Sequence, residues 1–276
     1  MVNPPPLMVV ALGGNALSPP TGGLSYQLER SIIAQTCDEL ALLIKRGFRL
    51  LIVHGNGPQV GRLMRNDIDG DNLDICVAQT QGELGYLLAQ SLQRASAATC
   101  VGIMTRTIVD VDDPALTQPD KAVGPFLIKR PTGPSRRSRE GWRVLVGSPK
   151  PIRIVEVPAI QALLQNYHVV AGGGGGVAVT AQGESVQGVV DKDRVAAALA
   201  IELNAAQLVF VTDVEGIFSH YQEADQQLLA ELNSTEIEAL LKTGALGAGS
   251  MAPKAESAAA YVTASDQTAC IVARGS

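Results

Sequence analysis

The chain has 276 residues and a formal net charge of −5, from 22 Lys and Arg against 27 Asp and Glu. That balance supplies no bulk attraction to nucleic acid or to an anionic membrane. Hydrophobic residues at 46% and charged ones at 18% exclude a disordered chain and suit a globular core. Aromatics are scarce at 4% and glycines number 28, so the core is expected to be aliphatic and the turns tight. Cys37, Cys76, Cys100 and Cys270 form no CxxC pair, and His54, His168 and His220 are equally scattered. Neither a zinc site nor a disulfide framework is expected. The first residues carry no basic start of a signal peptide, and the Leu7 to Leu12 run is too short to span a bilayer. The expectation is a cytoplasmic protein with no membrane or nucleic-acid partner.

Leu7 to Leu12 (LMVVAL) reads as a buried parallel strand running into Gly13-Gly14. From Ser25 to Arg46 the apolar residues recur near the helical period, and Gly47 supplies a stop. Arg49 to Val53 is a second strand ending in a glycine turn, Gln81 to Ala97 a helix, and Cys100 to Ile108 a strand. Residues 112 to 151 break the pattern with prolines and with Arg136, Arg137, Arg139 and Arg143. This stretch is expected to be a protruding subdomain or lid inserted in one domain that spans 1 to 276, its arginines solvated. Beyond it, Val157 to Gln165 reads as helix, His168 to Ala171 as strand, and Gly172 to Gly176 is an unbroken glycine run. Asp191 to Leu203 is helical, Gln207 to Thr212 a strand, Glu236 to Leu241 and Met251 to Ala264 helical, and Ala269 to Ala273 a closing strand. Strands alternating with helices predict an α/β protein, a mainly parallel sheet covered on both faces.

In open α/β sheets, ligands bind beyond the carboxyl ends of the strands. Three glycine turns stand there: Gly13-Gly14-Asn15-Ala16, His54 to Gln59, and Gly172 to Gly176. Glycine lets backbone N–H groups approach an anion, and a following helix adds a favourable dipole. Three such turns at equivalent places favour an anionic substrate. GxxxxGK[ST] is absent, and Gly55, Gly57 and Gly61 give GxGxxxG instead of the dinucleotide fingerprint GxGxxG. Cations for a polyphosphate must then come from elsewhere, and Lys192 and Lys254 each stand at the start of an expected helix, with Asp193 near to steer them. The simpler alternative is that Asp191 and Asp193 only cap the helix while the lysines are solvated. His54 reads as a packed, hydrogen-bonded histidine at a strand end.

Seven segments together resemble the carbamate kinase branch of the amino acid kinase family. They are GGNA at Gly13, HGNGPQVG at His54, KAVGPF at Lys121, SPKPI at Ser148, the glycines from Gly172, DKD at Asp191 and GSMAPK at Gly249, with CVAQTQG at Cys76 as an eighth. The resemblance implies a three-layer α/β/α sandwich around a mostly parallel eight-stranded sheet, with a small protruding subdomain. It implies reversible phosphoryl transfer between ATP and carbamate, with Mg²⁺, in a homodimer. Carried over by motif, Gly13, Gly14, Asn15, Gly55, Asn56 and Gly57 would hold carbamate and the moving phosphoryl group. Lys121, Lys192, Asp193 and Lys254 would be catalytic. Gly174, Gly175, Asp191, Thr212, Asp213, Val214, Gly249, Ser250 and Met251 would border the nucleotide. The segment after Phe126 is shorter than is usual in the family, Gly247-Ala248-Gly249 lacks a proline often found there, and the stop at Ser276 suggests a missing edge strand. Two other readings stay open: the same fold with another small acceptor, and a catalytically weak nucleotide-binding sensor.

Overall fold

A computed structural model describes residues 4–18, 25–64, 72–138, 141–221, 225–246 and 251–273. In chain order its elements begin with β1 (Leu7–Leu12), α1 (Tyr26–Lys45), β2 (Arg49–His54), α2 (Gly57–Met64), α3 (Leu73–Ser96), β3 (Cys100–Gly102) and β4 (Arg106–Val109). The middle of the chain forms α4 (Pro114–Thr117), β5 (Lys121–Leu127), β6 (Ser135–Arg137), β7 (Trp142–Val146), β8 (Pro151–Ile154), α5 (Val157–Leu164) and β9 (His168–Val170). Then follow β10 (Val177–Val179), β11 (Ser185–Val189), α6 (Lys192–Glu202) and β12 (Gln207–Thr212). The last are β13 (Ile217–Ser219), β14 (Gln227–Leu229), α7 (Ser234–Thr243), α8 (Met251–Ser265) and β15 (Thr268–Ala273).

The main sheet has six strands in the order β15-β12-β1-β2-β9-β3, every pair parallel. Alternation along β1 assigns its faces: Met8, Val10 and Leu12 pack with Ile33 and Cys37 of α1 and Leu84 and Leu88 of α3. Val9 and Ala11 pack on the opposite side with Val195 and Leu199 of α6 and Tyr261 of α8. Both faces are therefore dry, as a parallel sheet requires, and each fully buried Leu or Ile contributes about 1.5–3 kcal/mol. The Tyr261 hydroxyl donates to the Ala205 carbonyl at 2.6 Å, which removes the cost of burying a phenol there.

Three expectations change. The sheet implied by resemblance had eight strands; among the described residues it has six, beside a separate four-stranded sheet ordered β11-β10-β4-β8. Cys100 to Ile108, read as one strand, is two. Ile103 N still donates to Val170 O at 2.9 Å, but Thr105 turns away because its N–H and hydroxyl both bond the buried Gln81 Oε1, at 2.9 and 3.0 Å. The chain thus leaves the main sheet at a polar anchor supplied by α3 and enters the second sheet as β4. That helix also begins at Leu73, upstream of the expected Gln81.

Between residues 112 and 151 the chain builds its own antiparallel sheet, β5-β7-β6. The arginines there are not simply solvated. Arg143 donates to the carbonyls of Ala122 (3.1 Å) and Gly124 (3.0 Å) and lies over the Phe126 ring. Its planar fork, with Nε and Nη2 held in one plane, matches two carbonyls along one strand. Arg130 and Arg137 lie 5.3 and 6.0 Å from the Trp142 ring, Arg136 is exposed, and Arg139 lies outside the described residues. This small sheet meets the body where Gly124 packs on Gly61 of α2. A Cβ on Gly61 would overlap the Gly124 Cα, so only glycine permits the approach.

Candidate active site

β1 sits inside the main sheet with β2 on one side and β12 on the other, so the chain leaves the sheet in opposite directions around it. Such a reversal opens a crevice at the carboxyl ends. A cavity of about 770 Å³ stands there, with Gly13 and Gly14 after β1, Thr212 and Asp213 after β12, and the start of α6 on its wall. Gly13 N donates to Val211 O at 3.1 Å, and a Cβ on Gly13 would lie 2.9 Å from that same oxygen. The first glycine therefore lets the end of β1 lie against β12, while Gly14 stays open to the cavity.

Opposite these turns, ammonium groups from three elements converge. Asp191 is the N-cap of α6, accepting from the N–H groups of Asp193 (2.8 Å) and Arg194 (3.4 Å), and this fixes where Lys192 emerges. The Lys192 stem crosses the Gly55 turn: a Cβ on Gly55 would lie 3.3 Å from its Cδ and Cε. Lys192 Nζ pairs with Asp193 Oδ1, and Lys254 Nζ of α8 reaches the other oxygen, Oδ2, at 3.3 Å. Lys121, at the start of β5, pairs with Asp191 Oδ2. The Lys254 and Asp193 side chains are 4% and 5% exposed, so this pairing is made away from water.

Burial acts on these groups in the expected directions. It pushes the Lys254 ammonium below its ordinary value, the neighbouring Lys192 charge pushes the same way, and Asp193 opposes both. Burial of Asp191 alone would raise its carboxyl, but the Lys121 and Lys192 charges hold it well below the usual carboxylate range. His54 is buried and held neutral: desolvation lowers it to about 4, with Lys192 adding to the effect against a bond between Nδ1 and Gly55 O. Lysines and arginines outnumber aspartates seven to five around the cavity, in a chain whose net charge is −5. The local field therefore opposes the global one and favours an anion.

Of the residues expected here, Gly13, Gly14, Lys121, Asp191, Lys192, Asp193, Thr212, Asp213 and Lys254 line the cavity. Gly55 lies beneath Lys192, and Gly57 opens α2. Asn56 is buried, its Nδ2 donating to Thr80 Oγ1 at 2.9 Å, and Thr80 in turn donates to Val77 O. Gly174 and Gly175 are buried and stand behind the cavity wall. A Cβ on Gly174 would overlap the Asn56 amide and one on Gly175 the Val190 carbonyl, so the glycine run buttresses the Asn56 turn from behind. Val214 stands beside Asp213, and Met251 packs in the apolar cluster under α7 and α8. The Asn15 side chain, Gly249 and Ser250 lie outside the described residues. Sequence reasoning gave no site role to Arg136, Arg143, Lys150 and Arg194, which also line the cavity. Arg194 pairs with Glu256 of α8 at 2.9 Å, a second link between the two lysine-bearing helices. Its position directly after the DKD segment was the available signal.

The chain matches the amino acid kinase family over residues 6–273. It is 38% identical to the carbamate kinase of Halobacterium salinarum, covering 95% of this chain and 91% of that one. It is 36% identical to the carbamate kinase of Escherichia coli K12, covering 96% and 92%. Carbamate kinase from Giardia lamblia bound to AMP-PNP superimposes with a TM-score of 0.87 at 32% identity, over 97% of this chain and 93% of that one.

Proposed function

The chain belongs to the amino acid kinase family, and on that premise we propose that it is a carbamate kinase, moving a phosphoryl group reversibly between ATP and carbamate. The observation that carries the reading is the sharing of Asp193 by Lys192 and Lys254 beside a glycine-lined cavity. A carbamate oxygen attacks the γ-phosphorus, the bond to the β-phosphate oxygen breaks, and ADP leaves with the electron pair. The nucleophile is already anionic, so no general base is needed, in keeping with a neutral His54. Catalysis then consists of holding donor and acceptor in line and neutralising the charge spread over the moving group. In this reading Lys192 and Lys254 stabilise that charge, Asp193 orients both, and Lys121 reaches in from the small sheet, which acts as a lid. The turns at Gly14-Asn15 and Gly55-Asn56 hold carbamate, while Thr212-Asp213 and the start of α8 border the nucleotide.

Mg²⁺ fits this site as a companion of the nucleotide. Among the described residues no group of three His, Cys, Asp or Glu could hold a cation, and Asp191 and Asp193 already bind lysines. Asp213 and Asp120, both exposed on the cavity wall, are carboxylates that could hold it together with the phosphates, where it would supply charge neutralisation. No helix among the described residues is long and apolar enough to cross a membrane. A cytoplasmic homodimer remains the proposed state, with small molecules as its substrates.

The test is ATP formation from ADP, Mg²⁺ and carbamoyl phosphate. Turnover is expected. Folded protein that binds ADP without turnover would favour a nucleotide sensor, and ATP consumption with another acceptor but not carbamate would overturn the substrate.

A further inference from the structure

The segment carrying Lys121 leaves the body after β4 and returns to it at β8, and these two strands pair antiparallel as far as Val109 and Pro151. Beyond that last pair the two chain directions are joined by a side chain. Asp113 Oδ1 accepts from Ala115 N at 2.9 Å, starting α4, while Oδ2 accepts from Lys150 N at 2.8 Å, on the returning chain 37 residues away. These two amide bonds are the main reason the Asp113 carboxyl lies below its ordinary value. The route from this junction to Lys121 is short and stiff. α4 lies against Gly147, where a Cβ would sit 2.9 Å from the Leu116 Cα and 3.0 Å from the Ala115 oxygen. Gly147 O accepts from Val189 N of the body at 2.9 Å, and Val146 beside it is the cross-strand partner of Lys121.

We propose that Asp113 is a positioning residue of the transfer reaction: its carboxylate clasps the two ends of the lid and so sets how far Lys121 reaches over the cavity. The proposal rests on Lys121 acting in the transfer. The chemistry explains the residue type, because two N–H donors from opposite chain directions land on two different oxygens and only a carboxylate accepts at both. Asn has nearly the same shape but turns an NH₂ toward one of the donors. Asp113 is partly exposed and outside the hydrophobic clusters, so its loss leaves the fold standing.

The experiment compares Asp113→Asn, Lys121→Ala and the double variant in ATP formation from ADP and carbamoyl phosphate, with ADP affinity measured by calorimetry. Asp113→Asn is expected to lower kcat by roughly ten- to a hundredfold, the penalty of a misplaced reacting group. ADP affinity should change far less than kcat, although Asp113 itself borders the cavity. In the Lys121→Ala background the same substitution should change nothing further, since there is no longer an ammonium to position. An unchanged kcat in Asp113→Asn with an impaired Lys121→Ala overturns the clasp and spares the role of Lys121. Multiplying losses in the double variant overturn it too, because Asp113 would then act independently. A fully active Lys121→Ala overturns the lid reading itself.

Discussion

Asp193→Asn removes the one carboxylate that serves two ammonium groups while keeping the side chain's shape. Lys254 Nζ lies 3.3 Å from Asp193 Oδ2, and at an effective dielectric constant of about 20 two unit charges that close attract by about 5 kcal/mol. Breaking a buried pair on one side costs roughly 3–5 kcal/mol, which agrees with that figure. The burden falls on Lys254, whose ammonium is already held below its ordinary value by burial and by Lys192, with Asp193 opposing. Without the carboxylate it falls further, so the group loses its proton at a lower pH than in the wild type. Expected in the ATP-forming assay is a fall in kcat of about a hundred- to a thousandfold at neutral pH, the range seen when one transition-state stabiliser is lost. The basic limb of the pH profile should move toward acid, so part of the activity returns as the pH is lowered. An Asp193→Asn enzyme with near-normal kcat and a superimposable pH profile would refute the shared-carboxylate argument.

Two further outcomes test the frame around the site. Gly61→Ala puts a methyl group 2.6 Å from the Gly124 nitrogen and onto its Cα, so β5 must move off α2. Calorimetry should show a loss of about 1–3 kcal/mol, as overpacking typically costs, and kcat should fall because Lys121 starts β5; an unchanged Tm and kcat would contradict the close docking. His54, lowered to about 4, should keep a neutral imidazole in NMR titration down to that pH. Since the unfolded chain takes up this proton near 6.5 and the folded one only near 4, stability should decline as the pH falls between those values. A resonance titrating near 6.5 would mean that the ring is solvated.

The parts of this fold that were legible in the sequence are those fixed by local chemistry. Leu7 to Leu12 and Arg49 to Val53 show as strands because both faces of a parallel strand are buried, and the glycines after them mark sharp exits. Lys192 showed beside a capping aspartate, a signal only three residues long. What stayed hidden depends on partners distant in sequence. Nothing near Cys100 to Ile108 announces that Thr105 will be captured by Gln81, and nothing near Arg143 announces that β7 will lie beside the carbonyls of β5. The run from Gly172 to Gly176 carries a packing demand that its sequence does not announce. A missing side chain makes room for whatever is nearby, and here Asn56 and Val190 of the protein itself use that room.

The two carboxylates at the start of α6 divide three of the cavity's seven cations between them. Asp191 takes Lys121 from β5 and also caps the helix, and Asp193 takes Lys192 and Lys254. Asparagine could cap α6 equally well, but it would leave Lys121 without a counter-charge. Three ammonium groups thus face two carboxylates, and the positive end of the α6 dipole adds to the surplus. Where the pairing is shut from water, at Lys254 and Asp193, unbalanced positive charge is costly, and a nearby anion lowers that cost. The same imbalance favours an anion beside these lysines, and it needs no phosphate-binding loop of the GxxxxGK[ST] kind.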